Sequence, residues 1–440
     1  MILFLKPGII ITPDEVVEDK GIYIDTTNGL IIDVSEYKTK ADINVLLTKN
    51  TIAIPGIINA HDHLLGSYWP RVGEGPHISW KPWDDILKSS DLYKERSRIP
   101  NFYLYLIGSY KNLISGVTTV MDHIPHKVND NFIDKLPIKV IREYCLAHEV
   151  SSYDLKWGDG VDIEHRRAVE NNWPFVTHIE EGFDEESMKG VDYLIDYGAL
   201  TDHTVMVHGL ALSDEDLDRI AKARAHLVTC PVSNYFMFKL IARIKEWLAK
   251  GINTSLGTDS PMSGGMNILE EMRFLKMAYK SKYGEELSDR TILYMITKNP
   301  AKAFRIQSKV GYIRKGYLAD ITIFRRNNED LFSNITQAWF NDIELVFING
   351  IPRYGYDYYQ ELFDKFSNNI EYSKAIIDRQ NRIIVGSLEG LMRTVWKFVG
   401  FKKQLPFIPI TVEDDYGKNN TDSSSVIGDI TRTSSADLLY

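Results

Sequence analysis

The sequence has only two cysteines, Cys145 and Cys230, so it has no disulfide framework. This cysteine usage is typical of a reducing compartment, and we expect a cytoplasmic protein. The N-terminal run MILFLKPGIII lacks the charged start and the cleavage site of a signal peptide. No stretch reaches the ~18 uninterrupted apolar residues of a membrane-spanning helix. The sequence therefore predicts no integral membrane segment.

The sequence also lacks a basic excess. It contains 51 Lys and Arg residues and 60 Asp and Glu residues, which gives a formal net charge of -9. Proteins that bind nucleic acid usually carry a basic excess or a basic stripe, so we expect no nucleic-acid partner. The 44% of hydrophobic and 25% of charged residues are the balance of a soluble globular protein. The length of 440 residues fits one large or two ordinary domains.

The hydrophobic pattern changes twice along the chain. Residues 1–54 contain short strands separated by turn residues, and strands return after residue 320. Between them, short β-rich runs alternate with longer helical stretches, a pattern typical of βα units around a parallel sheet. The strands predicted for this central part are 118–121, 139–141, 175–177, 205–207, 226–229 and 254–257. We expect one small domain to be assembled from both ends of the chain.

The last 80 or so residues have a different character. A basic helix is predicted over 383–404, and one of its faces carries Leu388, Met392, Val395 and Val399. We expect this face to pack against the body or a partner subunit, and a membrane-surface role is the alternative. Residues 413–440 are rich in Asp, Asn, Ser and Thr, which predicts a disordered tail.

The strongest local signal for chemistry is the triplet His61-Asp62-His63, which follows a buried apolar run. Side chains at positions i and i+2 of a strand point the same way, so the two imidazoles can bind one metal ion. His178, His208 and Asp259 each follow a predicted strand. Because the carboxyl ends of parallel strands meet at one edge, we expect all five side chains to come together.

Taken in order, these motifs resemble the amidohydrolase superfamily, in particular the group of cytosine deaminase, nucleoside and guanine deaminases and the triazine hydrolases. The resemblance covers residues 1 to about 355. The matching segments are PGIINAHDH at 55–63, THIEE at 177–181, VHG at 207–209, CPVSN at 230–234, GTDS at 257–260, NPAKA at 299–303 and KGYLAD at 315–320.

The resemblance implies an α/β fold, a (β/α)8 TIM barrel with a small β-sandwich domain formed by both chain ends. The barrel is expected over residues 55–307. The β-sandwich domain is expected to combine residues 1–54 with 308–355, and a helical extension is expected over 356–412. These limits agree with the order of strand-rich and alternating regions along the chain.

In that group one divalent metal ion is held by side chains that match His61, His63, His178 and Asp259, with zinc as the first choice and iron as the alternative. The ion lowers the pKa of a bound water, so that hydroxide is available near neutral pH. The resemblance implies that Asp259 also accepts the water proton. It implies that Glu181 relays protons to the substrate and the leaving group, and that His208 stabilises the developing charge.

The resemblance implies a metal-dependent hydrolase that deaminates a nitrogen heterocycle, such as a purine or pyrimidine, by attack of metal-bound hydroxide. Its partner is then a small-molecule substrate, and the group's tendency to be multimeric leaves a homo-oligomer open. Hydrolysis of a cyclic or linear amide is the alternative within enzymes. A non-catalytic barrel that serves as a scaffold or binding subunit is the alternative from another class.

Because of two departures from the group's pattern, the arrangement of the metal site is not decided by the sequence. The deaminases often carry a further histidine after the fourth strand, and residues 150–163 contain none. Lys156 lies in this interval, and two-metal amidohydrolases bridge their ions with a carboxylated lysine at such a position. In that arrangement both His178 and His208 are metal ligands.

Several neighbouring residues have two interpretations each. Glu180 or Glu181 can point into the site, and His123 is either a pocket residue or a structural histidine. Cys230, Ser233 and Asn234 are expected to be structural. The loop 64–94 is expected to select the substrate or act as a lid, because its aromatic rings can stack on a flat heterocycle. The residues considered there are Tyr68, Trp69, Arg71, His77, Trp80 and Trp83.

Overall fold

The computed structural model describes residues 1–37 and 40–412, so the predicted tail 413–440 lies outside the described residues. The strands are β1 (Ile2–Lys6), β2 (Ile9–Ile11), β3 (Val16–Glu18), β4 (Gly21–Asp25), β5 (Leu30–Ser35), β6 (Ile43–Leu46), β7 (Thr51–Pro55), β8 (Ile57–Asp62), β9 (Val117–Asp122), β10 (Lys139–Val140), β11 (Cys145–Glu149), β12 (Phe175–Ile179), β13 (Thr204–His208), β14 (His226–Thr229), β15 (Asn253–Leu256), β16 (Ile321–Arg325), β17 (Ile343–Ile348), β18 (Ile351–Tyr356), β19 (Tyr372–Ile377), β20 (Gln380–Val385) and β21 (Ile410–Thr411).

The helices connect the central strands and flank the sheets. They are α1 (Trp80–Ser89), α2 (Asp91–Arg96), α3 (Asn101–Ile114), α4 (His126–Asn129), α5 (Val161–Asn171), α6 (Gly190–Asp196), α7 (Asp214–Ala223), α8 (Pro231–Phe238), α9 (Ile244–Ala249), α10 (Ile268–Tyr283), α11 (Asp289–Met295), α12 (Lys298–Ala303), α13 (Ser333–Thr336), α14 (Gln360–Asp364) and α15 (Leu388–Val399). No helix in the described part of the chain is both long and apolar enough to cross a membrane.

Two parallel sheets form the centre of an α/β fold, as the alternating pattern predicts. The first has the strand order β10-β9-β8, and the second runs β11-β12-β13-β14-β15. The backbone N–H groups of Thr258 and Asp259, just after β15, both donate to the carbonyl of His61 in β8. Among the described residues no ladder joins β10 to β11. The closed barrel expected from the sequence is therefore not produced by strand pairing alone.

All six strands predicted for the central part are present, but the sequence reading missed β11. Its residues Cys145–Glu149 are all buried, although two of them are polar. A strand whose polar side chains line an internal cavity lacks the apolar run by which a buried strand is identified. Because β11 was not predicted, the further histidine was sought in residues that follow this strand rather than in the strand itself.

Strands from both chain ends pair with each other, as expected for a composite β region. In a nine-stranded sheet, β7 pairs antiparallel with β16, so that Ile321 lies opposite Pro55. A four-stranded sheet with the order β5-β4-β1-β6 lies beside it. The two sheets share one buried apolar cluster that includes Leu3 and Ile22 from the N-terminal part and Phe347 from the C-terminal part.

The expected helical extension holds α14 and α15, and it also contributes β19, β20 and β21 to the nine-stranded sheet. The helix predicted from residue 383 therefore begins later, at Leu388. The four apolar residues predicted to share one face of α15 are all buried. This helix packs on α3, where the rings of Phe398 and Tyr103 lie 5.2 Å apart. Packing against the body, rather than a membrane-surface role, is thus the correct interpretation.

The two cysteines are free and buried, and we expect both thiols to be unreactive in the native protein. Burial raises the pKa of the Cys145 thiol to about 12 and also raises the pKa of the Cys230 thiol. Because the thiolate is the reactive form, a thiol reagent near neutral pH should label the native protein about a thousandfold more slowly than the unfolded chain. Labelling kinetics with and without denaturant measure this ratio, and equal rates would contradict the burial of both residues.

Candidate active site

The ends of β8, β12 and β13 and the residues after β15 bring a group of buried polar side chains together. Nε2 of His61 lies 3.3 Å from Nε2 of His178. Oδ1 of Asp259 lies 3.6 Å from Nε2 of His63 and 3.9 Å from Nε2 of His61. All four side chains predicted as metal ligands therefore converge on one point.

Strand alternation separates the three residues of the His61-Asp62-His63 triplet. The Asp62 carboxylate points away from the other two side chains, where Lys111 Nζ lies 2.8 Å from Oδ2 and Asn112 Nδ2 donates to the same oxygen at 2.7 Å. Both partners of Asp62 lie on α3. This buried ion pair attaches the end of β8 to the helix and holds the two imidazoles on the opposite side of the strand.

The donor set fits a small divalent cation. Two ligand atoms about 2.0 Å from a tetrahedral zinc ion are separated by roughly 3.3 Å, which is the distance between the Nε2 atoms of His61 and His178. Burial lowers the pKa of both imidazoles well below the ordinary value, so both are neutral and able to coordinate. Nδ1 of His178 lies 2.7 Å from the carbonyl of His148 and donates to it, which leaves Nε2 free for a metal.

His123 belongs to the same histidine cluster but does not line the cavity that contains Glu181. The described residues contain a group of four histidines, His61, His63, His123 and His178, with candidate ligand atoms all within 4.8 Å of one another. Nε2 of His123 lies 3.0 Å from the carbonyl of Ala147, to which it donates. Its ring stacks on His63, with centroids 5.9 Å apart. Because its Nε2 already donates to the backbone, His123 is less suited to bind a metal ion than Asp259, whose carboxylate offers an anionic oxygen.

Two hydroxyl groups position the carboxylate of Asp259. Ser233 Oγ donates to Oδ2 at 2.8 Å, and Ser263 Oγ donates to the same oxygen at 2.5 Å. Oδ1 is left facing His61 and His63. Ser233, expected to be structural, therefore positions a functional carboxylate. The sequence motif contained the residue but did not reveal this contact.

His208 and Glu181 lie together at the wall of the cavity. Nε2 of His208 is 3.5 Å from Oε1 of Glu181. Nδ1 of His208 lies 2.9 Å from Oδ1 of Asn234 and donates to it, so the other ring nitrogen faces the cavity. Burial, reinforced by Asp259 and Glu149, raises the pKa of Glu181 well above its ordinary value. The raised pKa favours the protonated carboxyl group, which can donate a proton.

Glu180 points elsewhere, which resolves the ambiguity between the two neighbouring acids. Its Oε1 accepts the backbone N–H of Val191 at 3.2 Å, at the start of α6. It does not line the cavity that contains Glu181. The two adjacent carboxyl groups are thus a natural matched pair for mutagenesis.

His148 is the residue that the sequence reading missed. It is the penultimate residue of β11, the fourth parallel strand, and it is buried. The fourth strand ends at Glu149, so the histidine lies just before the interval 150–163 in which one was sought. Its ring lies 4.6 Å from Trp157 and 4.8 Å from Trp80, between centroids. A strand assigned to 145–149 would have identified it.

Lys156 is not positioned to bridge two metal ions, so the two-metal alternative is wrong for this residue. Its side chain is 81% exposed, and its Nζ lies 3.5 Å from Oδ2 of Asp154. Its backbone φ of 60° lies in the left-handed region, at a turn that directs the side chain to solvent. Its neighbour Trp157 lines the cavity instead.

The loop 64–94 is more ordered than a simple lid. It contains α1 and enters α2, and only two of its candidate residues, Trp80 and Trp83, line the cavity. Trp80 Nε1 donates to Oε2 of Glu149 at 2.8 Å, so that its ring is fixed beside His148. The other candidates are held elsewhere: Tyr68 and Trp69 are buried in the core, Arg71 pairs with Glu270, and His77 contacts the carbonyl of Gly73.

The cavity over the histidines is small, about 40 Å³. Ligand pockets for compounds of drug size are roughly 300–1,000 Å³. A larger cavity elsewhere in the molecule contains none of these groups. We assign the site to the small cavity because the chemistry converges there. A heterocyclic substrate then requires the covering side chains to move, a common step in enzyme closure.

Comparisons with known proteins agree with this geometry. Residues 165–351 match the amidohydrolase family, and this segment includes His178, Glu181, His208 and Asp259. The chain is 26% identical over 413 residues to 5-methylthioadenosine/S-adenosylhomocysteine deaminase of Pyrococcus furiosus, covering 79% of this chain and 94% of that protein. The chain is therefore similar to amidohydrolases in this segment and to the deaminase over most of its length.

Another relative is 5'-deoxyadenosine deaminase of Methanocaldococcus jannaschii, which is 26% identical and is covered over 83% of its length, with 69% of this chain matched. An adenosine deaminase from Xanthomonas campestris with bound zinc has a TM-score of 0.70 at 16% identity, covering 90% of this chain and 97% of that one. A zinc complex of atrazine chlorohydrolase from Arthrobacter aurescens reaches 0.72 at 16% identity, covering 90% and 99%. These two structures share the fold.

In this protein, we expect Ser233→Ala and Ser263→Ala each to weaken metal binding. Each change removes one hydrogen bond that orients Asp259, and loss of such supporting contacts typically costs ~10–100-fold in metal affinity or activity. Competition with a chelator measures the affinity. Ser255→Ala is the matched control, because that buried hydroxyl has no described partner. Equal metal affinity in all three variants would show that the two hydroxyls do not position Asp259.

Proposed function

We propose that this protein is a metal-dependent deaminase that removes an exocyclic amino group from a nitrogen heterocycle by hydrolysis of the carbon–nitrogen bond. One observation carries the proposal. The imidazoles of His61, His63 and His178 converge on the carboxylate of Asp259, and all of these except His61 line the cavity that also contains Glu181. The alternative of a non-catalytic scaffold provides no reason to bury these polar groups together.

The proposed ligands of one divalent ion are His61, His63, His178 and Asp259. Three neutral imidazoles and one carboxylate suit zinc, which is the first choice, and zinc is present in the two similar structures named above. When bound, the ion lowers the pKa of water and supplies a nucleophile near neutral pH. The neutral state of the buried imidazoles supports this assignment.

The proton transfers are proposed to run through Glu181 and Asp259. A carboxyl group whose pKa is raised by burial holds its proton near neutral pH, so Glu181 can donate to a ring nitrogen of the substrate. Asp259, whose Oδ1 faces the proposed metal ligands, is placed to accept a proton from water. After the attack, the Glu181 carboxylate would take the remaining proton of the added hydroxyl group and pass it to the amino group, which leaves as ammonia. The proton held by Asp259 would then restore Glu181.

His208 is proposed to accept a hydrogen bond through Nε2 from the attacking water or the Glu181 carboxyl group, because a neutral imidazole with its proton on Nδ1 has an acceptor at Nε2. Its Nδ1–H bond to Asn234 keeps Nε2 directed at the cavity, 3.5 Å from Glu181. A fixed donor or acceptor at this place needs no reorganisation during the reaction. Asn234 is therefore proposed as a positioning residue that acts through His208.

The substrate is proposed to be an adenine-containing nucleoside. Trp80, Trp83 and Trp157 line the cavity and offer aromatic faces for a flat base. His148, fixed between Trp80 and Trp157, is proposed to contact the substrate. The two relatives that are 26% identical over most of the chain are named as deaminases of 5'-modified adenosines.

The fold proposed to support this site is a (β/α)8 barrel over 55–307, made by the eight parallel strands β8 to β15. A β-sandwich from residues 1–54 and 308–355 is proposed beside it. The hydrogen bonds from Thr258 and Asp259 to His61 support closure of the barrel on one side. The apolar cluster shared by both chain ends supports the composite β-sandwich.

An ammonia-release assay with purified, metal-loaded protein tests the proposal. The panel contains adenosine, 5'-deoxyadenosine, 5-methylthioadenosine, S-adenosylhomocysteine, guanine and cytosine, with cyclic amides as the comparison set. We expect release of ammonia from at least one adenine nucleoside and no opening of the amides. Opening of an amide ring without ammonia release would favour amide hydrolysis, and no reaction with any compound would favour the scaffold.

A further inference from the structure

A second cavity, of about 390 Å³, lies at the opposite end of the parallel strands from the histidines. It is bounded by residues 133–143, by 306–318 and by the turn between β17 and β18. Thr119, in the first half of β9, lines it, whereas His123 follows the other end of that strand. No residue lines both cavities. The second cavity is therefore separate from the proposed active site.

Three side chains that line the second cavity each hold a buried polar atom without a hydrogen-bond partner among the described residues. These atoms are Oγ1 of Thr119, Oδ1 of Asn349 and Nε of Arg353. The Thr119 side chain belongs to a residue only 4% exposed. Buried polar groups are nearly always hydrogen-bonded, so three exceptions around one cavity indicate a missing partner, either water or a ligand.

The charges around the second cavity favour an anion. Lys139 is paired with Asp320, and Arg142 is paired with Asp134. In the part of the chain that the structure describes, neither the Arg353 guanidinium nor the Lys309 ammonium forms an ion pair. Of the acidic groups near these two cations, Asp320 is paired with Lys139, Asp134 is paired with Arg142, and Glu143 is exposed. The remaining wall is aliphatic and includes Ile138, Ile306, Val310 and Leu318.

The geometry points to a second ligand site that binds a small amphiphilic carboxylate. A guanidinium matches the two oxygens of a carboxylate in a bidentate pair, and Thr119 supplies a further hydroxyl. The aliphatic wall covers the apolar part of the ligand. A volume near the lower end of the roughly 300–1,000 Å³ of known ligand pockets selects a compact acid. This site is independent of the proposed deamination.

Calorimetric titration of the full chain with octanoate tests the site, with octanamide as a neutral probe of the same length. We expect octanoate to bind at one site and octanamide to bind at least about tenfold more weakly, because the charge-assisted hydrogen bonds are lost. Arg353→Gln should weaken octanoate binding by at least about tenfold, and Lys309→Gln should weaken it less. Lys302→Gln, an exposed lysine of α12 outside the cavity, should leave it unchanged.

A thermal melting curve shows whether Arg353→Gln folds. If it does not fold, further variants still test the site. Thr119→Val removes only the hydroxyl, and Ile306→Phe narrows the cavity, so both should weaken octanoate binding. His61→Ala should bind octanoate like the wild type, and loss of binding there would locate the acid at the histidine cluster and overturn the proposal.

Four other outcomes would also overturn it. Equal binding of octanoate and octanamide would show an apolar pocket without anion recognition. Absence of any binding at millimolar octanoate would show that water alone satisfies the three polar atoms. Displacement of octanoate by an equimolar amount of inorganic phosphate would show that the site recognises phosphate rather than a carboxylate. Retained binding in both Arg353→Gln and Thr119→Val would place the acid elsewhere.

Discussion

Turnover of the Glu181→Gln variant is expected to fall by ~10²–10⁴-fold while its metal content stays at the wild-type level. Glutamine keeps the size of the side chain but has no acidic proton to donate. Glu181 is buried beside His208 and is not among the side chains that converge as metal ligands. Ammonia release measures the turnover, and metal analysis of the same preparation measures occupancy. The loss should appear in kcat rather than in binding of the ion.

Glu180→Gln is the matched control for this prediction. The two acids are adjacent in sequence and both are buried, but the Glu180 carboxylate accepts the N–H of Val191 outside the cavity. Burial raises the pKa of Glu180 to about 8, so near neutral pH it is already mostly protonated and resembles glutamine in charge. The control should retain activity. If Glu181→Gln were as active as Glu180→Gln, proton relay by Glu181 would have to be abandoned.

The second large effect is expected for His61→Ala, which should lose both the metal and the activity. The Nε2 atom of His61 lies 3.3 Å from Nε2 of His178 and 3.9 Å from Oδ1 of Asp259, so its removal opens the centre of the donor set. We expect metal content near zero after dialysis and activity lower by at least ~10³-fold, since the ion supplies several kcal/mol of catalysis. Asp259→Ala should behave in the same way.

His126→Gln provides the comparison for His61→Ala. His126 is also a histidine, but its Nδ1 lies 3.1 Å from Oδ1 of the exposed Asp130, away from the cluster. That variant should bind metal and turn over substrate normally. Metal retained by His61→Ala at wild-type affinity would mean that other side chains form the site. The four-histidine group makes His123 the first candidate in that case.

Much of the proposed site could be read from short-range patterns. His61 and His63 share a side because strand residues alternate, and the opposite orientation of Asp62, held by Lys111, shows the same alternation from the other face. The helix α7 begins with Ser213 and Asp216 in a capping box, a signal that spans only four residues. Such features depend on a few neighbouring residues, so they are visible in a linear chain.

His148 shows where that reading failed. The strand β11 carries a buried histidine that lines an internal cavity and a buried glutamate that accepts a hydrogen bond from Trp80, and a polar strand has no clear hydrophobic signature. Its position became evident only when β12 was paired beside it. The prediction for Lys156 failed for the opposite reason. Its position in the sequence suggested a metal ligand, whereas its side chain is exposed to solvent.

The residue types and their order along the chain were sufficient to determine the family resemblance, the alternating βα organisation and the four metal-ligand candidates, since each depends on local spacing. Tertiary structure alone decided which of two adjacent glutamates enters the cavity, which serines orient Asp259, and that Asn234 holds His208. Two of those contacts, between Ser233 and Asp259 and between His208 and Asn234, each join residues 26 positions apart. Their geometry is set by how the strands and helices pack together, which no short stretch of sequence specifies.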